Sequence, residues 1–132
     1  MNSTYLTFKI GKESYIINVE NVVNIIEMVD ITKIPNTPKH VIGMIDFRGN
    51  PLLIVDAHKV LNIKFKEFTQ KTCIVILKIN NDMFGIIVDD VKSVIDVDSK
   101  NIINNKSSKY IIGMVNIDDE LTMILDINKL IK

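Results

Sequence analysis

The chain has 132 residues, of which 16 are basic, 16 are acidic and 47% are hydrophobic. This length suits a single domain, residues 1–132, with a sizeable core, and a net charge of zero lacks the basic field that nucleic-acid binding needs. The longest apolar stretches, such as residues 110–115, are six residues long, whereas a membrane-spanning helix needs about 20. No signal-peptide pattern opens the chain. We therefore expect a cytoplasmic protein that neither binds nucleic acid nor inserts into a membrane.

The composition favours β-structure. The chain holds 25 Ile and 13 Val but only one Ala, and β-branched side chains suit a pleated sheet better than a helix interior. The sequence therefore predicts a mainly β fold.

The chain also repeats itself. Residues 5–27 align with residues 74–96, 69 positions further on, and residues 40–61 align with residues 110–131, 70 positions further on. Neither block needs an internal gap, and the difference falls in a polar connector, where insertions are tolerated. Two copies of one unit are therefore predicted, a first subdomain of about residues 1–66 and a second of about residues 67–132.

Each copy predicts the same elements in chain order: a hairpin, a short helix or strand end, a connector, a second hairpin and a short closing helix. This order predicts two pseudo-symmetric five-stranded barrels that share a core, with closure protecting the strand edges. In the first copy the hairpins turn at residues 11–13 and 48–50, the intermediate segment is 22–26 and the closing helix is 57–61. In the second copy the turns are at 80–82 and 118–120, the intermediate segment is 91–95 and the closing helix is 127–131.

Four residues that occur in both copies are assigned to architecture. Gly43 and Gly113 interrupt apolar strands, which indicates a bulge or a close backbone approach. Asp56 and Asp126 stand where the N-caps of the closing helices are expected. Paired acid–base carboxylates are the alternative for these aspartates, but no nucleophile or base accompanies them.

The sequence offers no convincing catalytic triad, phosphate loop or metal cluster. His40 and His58 are far apart and lack a ligand-spaced carboxylate, and Cys73 is the only cysteine. We therefore expect a protein that is not an enzyme and uses no cofactor or metal.

Several segments together resemble the CheW-type chemotaxis coupling proteins, the CheW-like domain family. The first copy carries YIINVENVVNII at residues 15–26, IPNTP at 34–38 and VIGMIDFRG at 41–49. The second copy carries GIIVDDV at 85–91, YIIG at 110–113 and ILDINKL at 124–130. Their order and spacing cover essentially the whole chain.

This resemblance implies two SH3-like barrels and a non-enzymatic adaptor. Such proteins link the cytoplasmic helical hairpin tips of chemoreceptors to the regulatory domain of the histidine kinase CheA, and they are recruited to membrane-associated receptor arrays. Carried over by position, the receptor groove involves Val22, Asn24, Ile25, Arg48, Gly49, Val91 and Val94. A Val- and Ile-lined groove would suit an amphipathic helix, and Arg48 at its rim would suit a carboxylate or a helix-terminal carbonyl.

The kinase is expected at the barrel ends. Candidate contacts there are Met44, Ile45, Met114 and Met123, since methionine adapts to partner surfaces.

The chain departs from the family pattern at Asn24, Asp46, Leu53 and His58, and also at Phe47, Ala57 and Ser93. These changes spare core positions and alter predicted contact positions. Three alternatives to the chemotaxis adaptor remain. The first is a CheW-like module of another two-component system, and the second is a domain excised from a larger kinase or receiver fusion. The third is a small β-barrel enzyme or ligand carrier with an enclosed polar pocket.

Overall fold

Strands dominate the computed structural model, which describes residues 2–64, 67–104 and 108–130. The first copy contains β1 (Asn2–Ile10), β2 (Glu13–Asn18), β3 (Val22–Glu27), β4 (Val41–Phe47), β5 (Asn50–Val55) and the short helix α1 (Ala57–Val60). The second copy contains β6 (Cys73–Ile79), β7 (Asp82–Val88), β8 (Asp90–Asp98), β9 (Ile103–Asn104), β10 (Ile111–Ile117), β11 (Glu120–Leu125) and α2 (Ile127–Leu130). Single 3₁₀ turns occupy Val19–Asn21 and Ser99–Asn101. The predicted mainly β fold with short helices is confirmed.

The strands form two sheets, and each sheet combines both copies. The six-stranded sheet has the order β8-β1-β2-β11-β10-β9, and the five-stranded sheet has the order β3-β6-β7-β5-β4. The first hairpin of each copy therefore lies in one sheet with the second hairpin of the other copy. The boundary near residue 66 separates two sequence copies, whereas both sheets cross it.

The pairing registers repeat with the sequence. In the parallel pair of β11 and β2, Met123 lies opposite Tyr15, and in the parallel pair of β5 and β7 the equivalent Leu53 lies opposite Phe84. The two sheets are thus related by the same offsets that relate the copies, which is the pseudo-symmetry expected from the sequence.

Two details differ from the predicted elements. Residues 22–26 and 91–95 lie in strands, not in short helices. β3 pairs with β6 and β8 pairs with the equivalent β1, each with a single bulge. The alternative of strand ends is the correct one. One sheet has six strands instead of five, because β9 pairs with β10 where the first copy has only an isolated Thr32–Met44 bridge. Closure of each sheet into a barrel stays a prediction.

The turns and closing helices follow the sequence signals. The second hairpins turn through two residues with positive φ, Arg48 (53°) and Gly49 (83°) in one copy and Asp118 (50°) and Asp119 (64°) in the other, as in type I′ hairpins. Helices α1 and α2 lie within the predicted segments, although the predicted end of the second one at Ile131 lies outside the described residues.

Strand alternation creates three cores, because successive side chains point to opposite faces of a strand. On β2, Ile17 enters a shared core between the sheets and Ile16 enters the outer core of the six-stranded sheet. The shared core includes Leu6, Phe8, Ile10, Tyr15, Ile17, Val55, Val75, Leu77, Phe84, Ile86, Val88, Leu125 and Leu130. The outer core of the five-stranded sheet is Ile45, Leu52, Ile54, Ile74, Ile76 and Ile87. The outer core of the six-stranded sheet is Ile16, Val97, Val115 and Ile124.

Candidate functional site

The first part of the predicted receptor groove lies on β3, an edge strand of the five-stranded sheet. Val22 packs against the shared core, whereas Ile25 is 39% exposed. Asn24 lies between them at the bulge opposite β6, and its side-chain oxygen accepts a hydrogen bond from the Ile25 N–H at 2.8 Å. Asn24 therefore has a local role in shaping the edge strand that presents Ile25.

The second part lies at the equivalent positions of β8, an edge strand of the other sheet. Val91 packs against the shared core, and Val94 is 56% exposed. The bulge here is held by Thr7 and Ser93, since the Thr7 hydroxyl lies 3.0 Å from the Ser93 hydroxyl and accepts from the Ser93 N–H at 3.0 Å. Val22 and Val91 thus both pack against the shared core, while Ile25 and Val94 on the same strands remain exposed.

Arg48 and Gly49 lie at the tip of the hairpin between β4 and β5. The Arg48 guanidinium stacks on the Phe47 ring, with its central carbon 4.8 Å from the ring centroid. Arg48 lines a cleft of about 550 Å³ together with Val23 and Met83, which sequence reasoning missed. Val23 was not predicted as a surface residue because residues 22–26 were interpreted as a short helix. In the strand, the exposed residues of β3 are Val23, Ile25 and Glu27.

The predicted kinase-binding residues divide into surface and core positions. Ile45 is only 4% exposed and belongs to the outer core of the five-stranded sheet. It therefore offers no docking surface in this structure, because strand alternation points it inward beside Met44. Met44 is half-buried at the edge of a surface pocket that Gly49 also lines.

Met114 and Met123 lie directly opposite each other on β10 and β11, and Ile103 of β9 lies opposite Met114. Around them Ile103 is 67% exposed and Leu121 is 56% exposed. Neither Ile103 nor Leu121 was among the predicted contact residues. Their position next to predicted turns and connectors was the only available signal, and it is a weak one.

The paired glycines lie where their strands approach another backbone. Register shifts occur at Gly43 on β4 and at Gly113 on β10. A Cβ atom at Gly43 would overlap the carbonyl oxygen of Thr32, and one at Gly113 would lie 2.8 Å from the carbonyl oxygen of Ile103. Both positions therefore exclude a side chain unless the adjacent backbone moves.

The paired aspartates hydrogen-bond to the first turns of the closing helices. An Asp56 carboxylate oxygen accepts from the His58 N–H at 3.0 Å, and an Asp126 oxygen accepts from the Asn128 N–H at 3.1 Å. These bonds satisfy N–H groups that have no partner within the helix.

His58 is not isolated from carboxylates, so that part of the sequence interpretation is wrong. Its side chain is 2% exposed, with Nε2 2.8 Å from Asp89 of the second copy and Nδ1 3.3 Å from Asp56. Burial alone would lower the pKa of His58, but the two carboxylates outweigh it and raise the pKa. Asp89 also accepts from the Gly11 N–H at 2.5 Å. The cluster therefore ties α1 to the hairpin turn of β1 and β2.

His58 and Asp89 also line the wall of a cleft of about 560 Å³, together with Ile63, Lys64 and Thr69. A ligand carrier would need convergent polar groups that are available to a ligand. Here the imidazole and the carboxylate bind each other, which gives the ligand-carrier alternative little support. In the part of the chain that the structure describes, no group of three or more His, Cys, Asp or Glu side chains is arranged to hold a metal ion. Across the same residues, no helix has the length and apolar character to span a membrane.

Comparison with known proteins agrees with this architecture. Residues 4–132 match the family model of the CheW-like domain. The chain is similar to a "Chemotaxis protein CheW" of Thermotoga maritima, with 30% identity covering 96% of this chain and 86% of that protein. It is also similar to a protein of the same name from Klebsiella aerogenes, with 26% identity covering 96% of this chain and 80% of that protein.

A solved structure shows the same fold. The crystal structure of the scaffolding protein TtCheW from Thermoanaerobacter tengcongensis superposes with a TM-score of 0.92 and 27% identity, covering 100% of this chain and 89% of that one. The matched family model, the relatives and the shared fold lead to one conclusion: this chain belongs to the CheW-like domain family.

Proposed function

We propose that this chain is a non-enzymatic chemotaxis adaptor that couples the cytoplasmic tips of chemoreceptors to a CheA-type histidine kinase. Its membership of the CheW-like family supports the adaptor role, and a scaffolding protein has the same fold. In this role it works in the cytoplasm and is recruited to receptor arrays at the membrane.

The observation that carries the proposal is the pair Ile25 and Val94. These aliphatic side chains occupy equivalent positions on two edge strands, and they are 39% and 56% exposed although Val22 and Val91 beside them pack on the shared core. Exposed aliphatic side chains at spaced positions can serve as anchors for the apolar face of a helix. We assign the receptor tip to this pair and to Arg48, Gly49 and Val23.

The kinase regulatory domain is assigned to a different face, the strip on β9–β11 that contains Met114 and Met123, with Met44 on the other sheet. The strip also exposes Ile103 and Leu121. Flexible and aliphatic side chains can adapt to a second β-rich surface. The strip on β9–β11 lies at the opposite edge of the six-stranded sheet from Val94 on β8, so the strip is free for the kinase while the receptor tip is bound. Met44 borders the pocket that Gly49 lines, so it lies next to the receptor side.

Isothermal titration calorimetry tests the proposal with the receptor tip and the kinase regulatory domain of the source organism. We expect saturable binding of both by the unaltered chain. Ile25→Ser, Val94→Ser and Arg48→Ala should each weaken receptor binding about tenfold, since loss of one anchor costs roughly 1.4 kcal/mol, and should leave kinase binding unchanged. Met114→Ser should weaken kinase binding about tenfold and leave receptor binding unchanged.

Val29→Ser provides the matched control, because Val29 is 47% exposed and lies outside both assigned faces. It should bind both partners like the unaltered chain. Binding to neither partner at high micromolar concentration would contradict the adaptor role, and equal losses from Val29→Ser and Ile25→Ser would contradict the assigned groove.

A further inference from the structure

A polar cluster on the six-stranded sheet shows how one lysine is neutralised within the chain. Lys9 on β1 donates to a Glu120 carboxylate oxygen on β11 at 2.6 Å, and the Ser14 hydroxyl on the intervening β2 donates to the same oxygen at 2.7 Å. These hydrogen bonds lower the pKa of Glu120. The charge of Lys9 therefore has a carboxylate partner inside the molecule.

The equivalent positions on the five-stranded sheet are Lys78, Met83 and Asn50. Lys78 lies opposite Met83, as Lys9 lies opposite Ser14, and Asn50 begins β5 as Glu120 begins β11. The backbone arrangement is thus repeated, but a neutral amide replaces the carboxylate. Within the described ranges, no carboxylate forms an ion pair with Lys78 or with the neighbouring Arg48.

These cations border the cleft of about 550 Å³ described above, which we call the Lys78 cleft. Its apolar wall includes Val23, which is 38% exposed, and Met83, which is 36% exposed. Arg48 adopts a positive φ of 53°, a conformation that favours Gly, Asn or Asp in a turn of this type. The equivalent turn position in the second copy is Asp118, which suits that conformation, so Arg48 is a residue that the turn itself does not require.

We propose that the Lys78 cleft receives a side-chain carboxylate of the receptor's helical hairpin tip, with an aliphatic neighbour of that residue packed on Val23 and Met83. This inference rests on the proposed function and specifies the chemistry of the partner. Two cations without a carboxylate partner attract a carboxylate, and a guanidinium can bind it through two hydrogen bonds. The cluster on the six-stranded sheet is the internal template, because there the chain supplies the carboxylate itself.

Substitution of Asn50 by Glu or Gln provides a matched pair of variants that differ in charge. Asn50→Glu installs the carboxylate of the template, so it should pair with Lys78 and repel an incoming carboxylate. We expect calorimetry to show receptor-tip binding weakened about tenfold by Asn50→Glu and changed less than about twofold by Asn50→Gln. Lys78→Gln should also weaken receptor binding, and kinase binding should be unchanged in all three variants.

Salt dependence supplies a second readout. Added salt screens exposed charges, so receptor affinity of the unaltered chain should fall between 50 mM and 300 mM NaCl. The receptor affinity of the Asn50→Glu variant should fall less over the same range, because its cations are already paired within the chain.

The possible outcomes separate this inference from the proposed function. Equal receptor binding by the Glu and Gln variants would overturn the carboxylate assignment while leaving the adaptor role intact. A loss confined to the kinase titration would assign the cleft to the kinase and overturn the receptor as occupant. Failure of the unaltered chain to bind the receptor tip would overturn both proposals.

Discussion

The outer cores of the two sheets share their backbone arrangement but differ in side-chain chemistry. In the five-stranded sheet Leu52 and Ile76 are buried in an aliphatic core. Their equivalents in the six-stranded sheet are Thr122 and Thr7, which are also buried but carry hydroxyl groups. The two copies therefore preserve strand register more strictly than they preserve core composition.

The two buried threonines of the six-stranded sheet have hydrogen-bond partners within the chain. The Thr122 hydroxyl donates to the Glu120 carbonyl at 3.3 Å, and the Thr7 hydroxyl donates to the Ser93 carbonyl at 3.1 Å. At the rim of the same sheet Lys9 pairs with Glu120. The six-stranded sheet therefore satisfies these three polar side chains within the chain, whereas the five-stranded sheet combines a larger aliphatic core with the cationic Lys78 cleft at its rim.

The largest expected effect tests whether the five-stranded sheet carries more of the stability. Ile54 is fully buried and its equivalent Ile124 is 6% exposed in the smaller outer core. We expect Ile54→Ala to reduce the free energy of unfolding by about 4 kcal/mol and Ile124→Ala by about 2.5 kcal/mol, because the cost rises with the volume of the cavity left behind. Urea unfolding measures both values. Equal losses would show that the two outer cores contribute alike.

The paired glycines sharpen the comparison at the β4 and β10 bulges. A methyl group would overlap the Thr32 backbone at Gly43 but would lie 2.8 Å from the Ile103 carbonyl oxygen at Gly113. We expect Gly43→Ala to cost about 3 kcal/mol and Gly113→Ala about 1 kcal/mol, because the smaller overlap requires a smaller shift of backbone. Thermal unfolding shows which of the two variants loses more stability. A larger loss of stability in Gly113→Ala than in Gly43→Ala would contradict the prediction.

A third prediction concerns the closing helices, where His58 in one copy corresponds to Asn128 in the other. His58→Gln should cost about 2 kcal/mol at pH 6, since a buried hydrogen-bonded group is removed from Asp89. Asn128→Gln is the matched control, because Asn128 is exposed, and it should change stability little. Chemical unfolding of both variants provides the measurement.

The His58 contribution should also depend on pH. A raised pKa means that the folded chain holds the proton more tightly, so the stabilisation is complete below the ordinary pKa of 6.5 and is lost as pH rises through the folded-state pKa. Burial alone would raise the pKa of Asp56, but its contacts with His58 lower it from 3.8, so that contribution is lost as pH falls through the lowered pKa. The difference between unaltered chain and His58→Gln should therefore be larger at pH 6 than at pH 8. A difference that is independent of pH would show that His58 does not bind its proton more tightly in the folded chain.

Much of the fold could be predicted because its signals are local. The paired hairpins, the closing helices and the turns at Arg48 and Asp118 follow from strand periodicity and turn chemistry. Residues 22–26 were ambiguous, since a short apolar run fits a strand or a helix. That ambiguity carried into the candidate site, where Val23 was missed and Ile45 was placed on the surface although it is buried.

By itself the sequence determined that this protein is a twofold repeat of β hairpins with family-specific segments, because periodicity, spacing and resemblance are properties of the linear chain. Only the tertiary structure decided that the hairpins of the two copies combine in each sheet. It also decided that His58 meets Asp89, and that Lys9 meets Glu120 while the equivalent Lys78 shares a cleft with the neutral Asn50. Such contacts join residues that are far apart in sequence. The order of the strands brings these residues together, and local side-chain patterns do not encode that order.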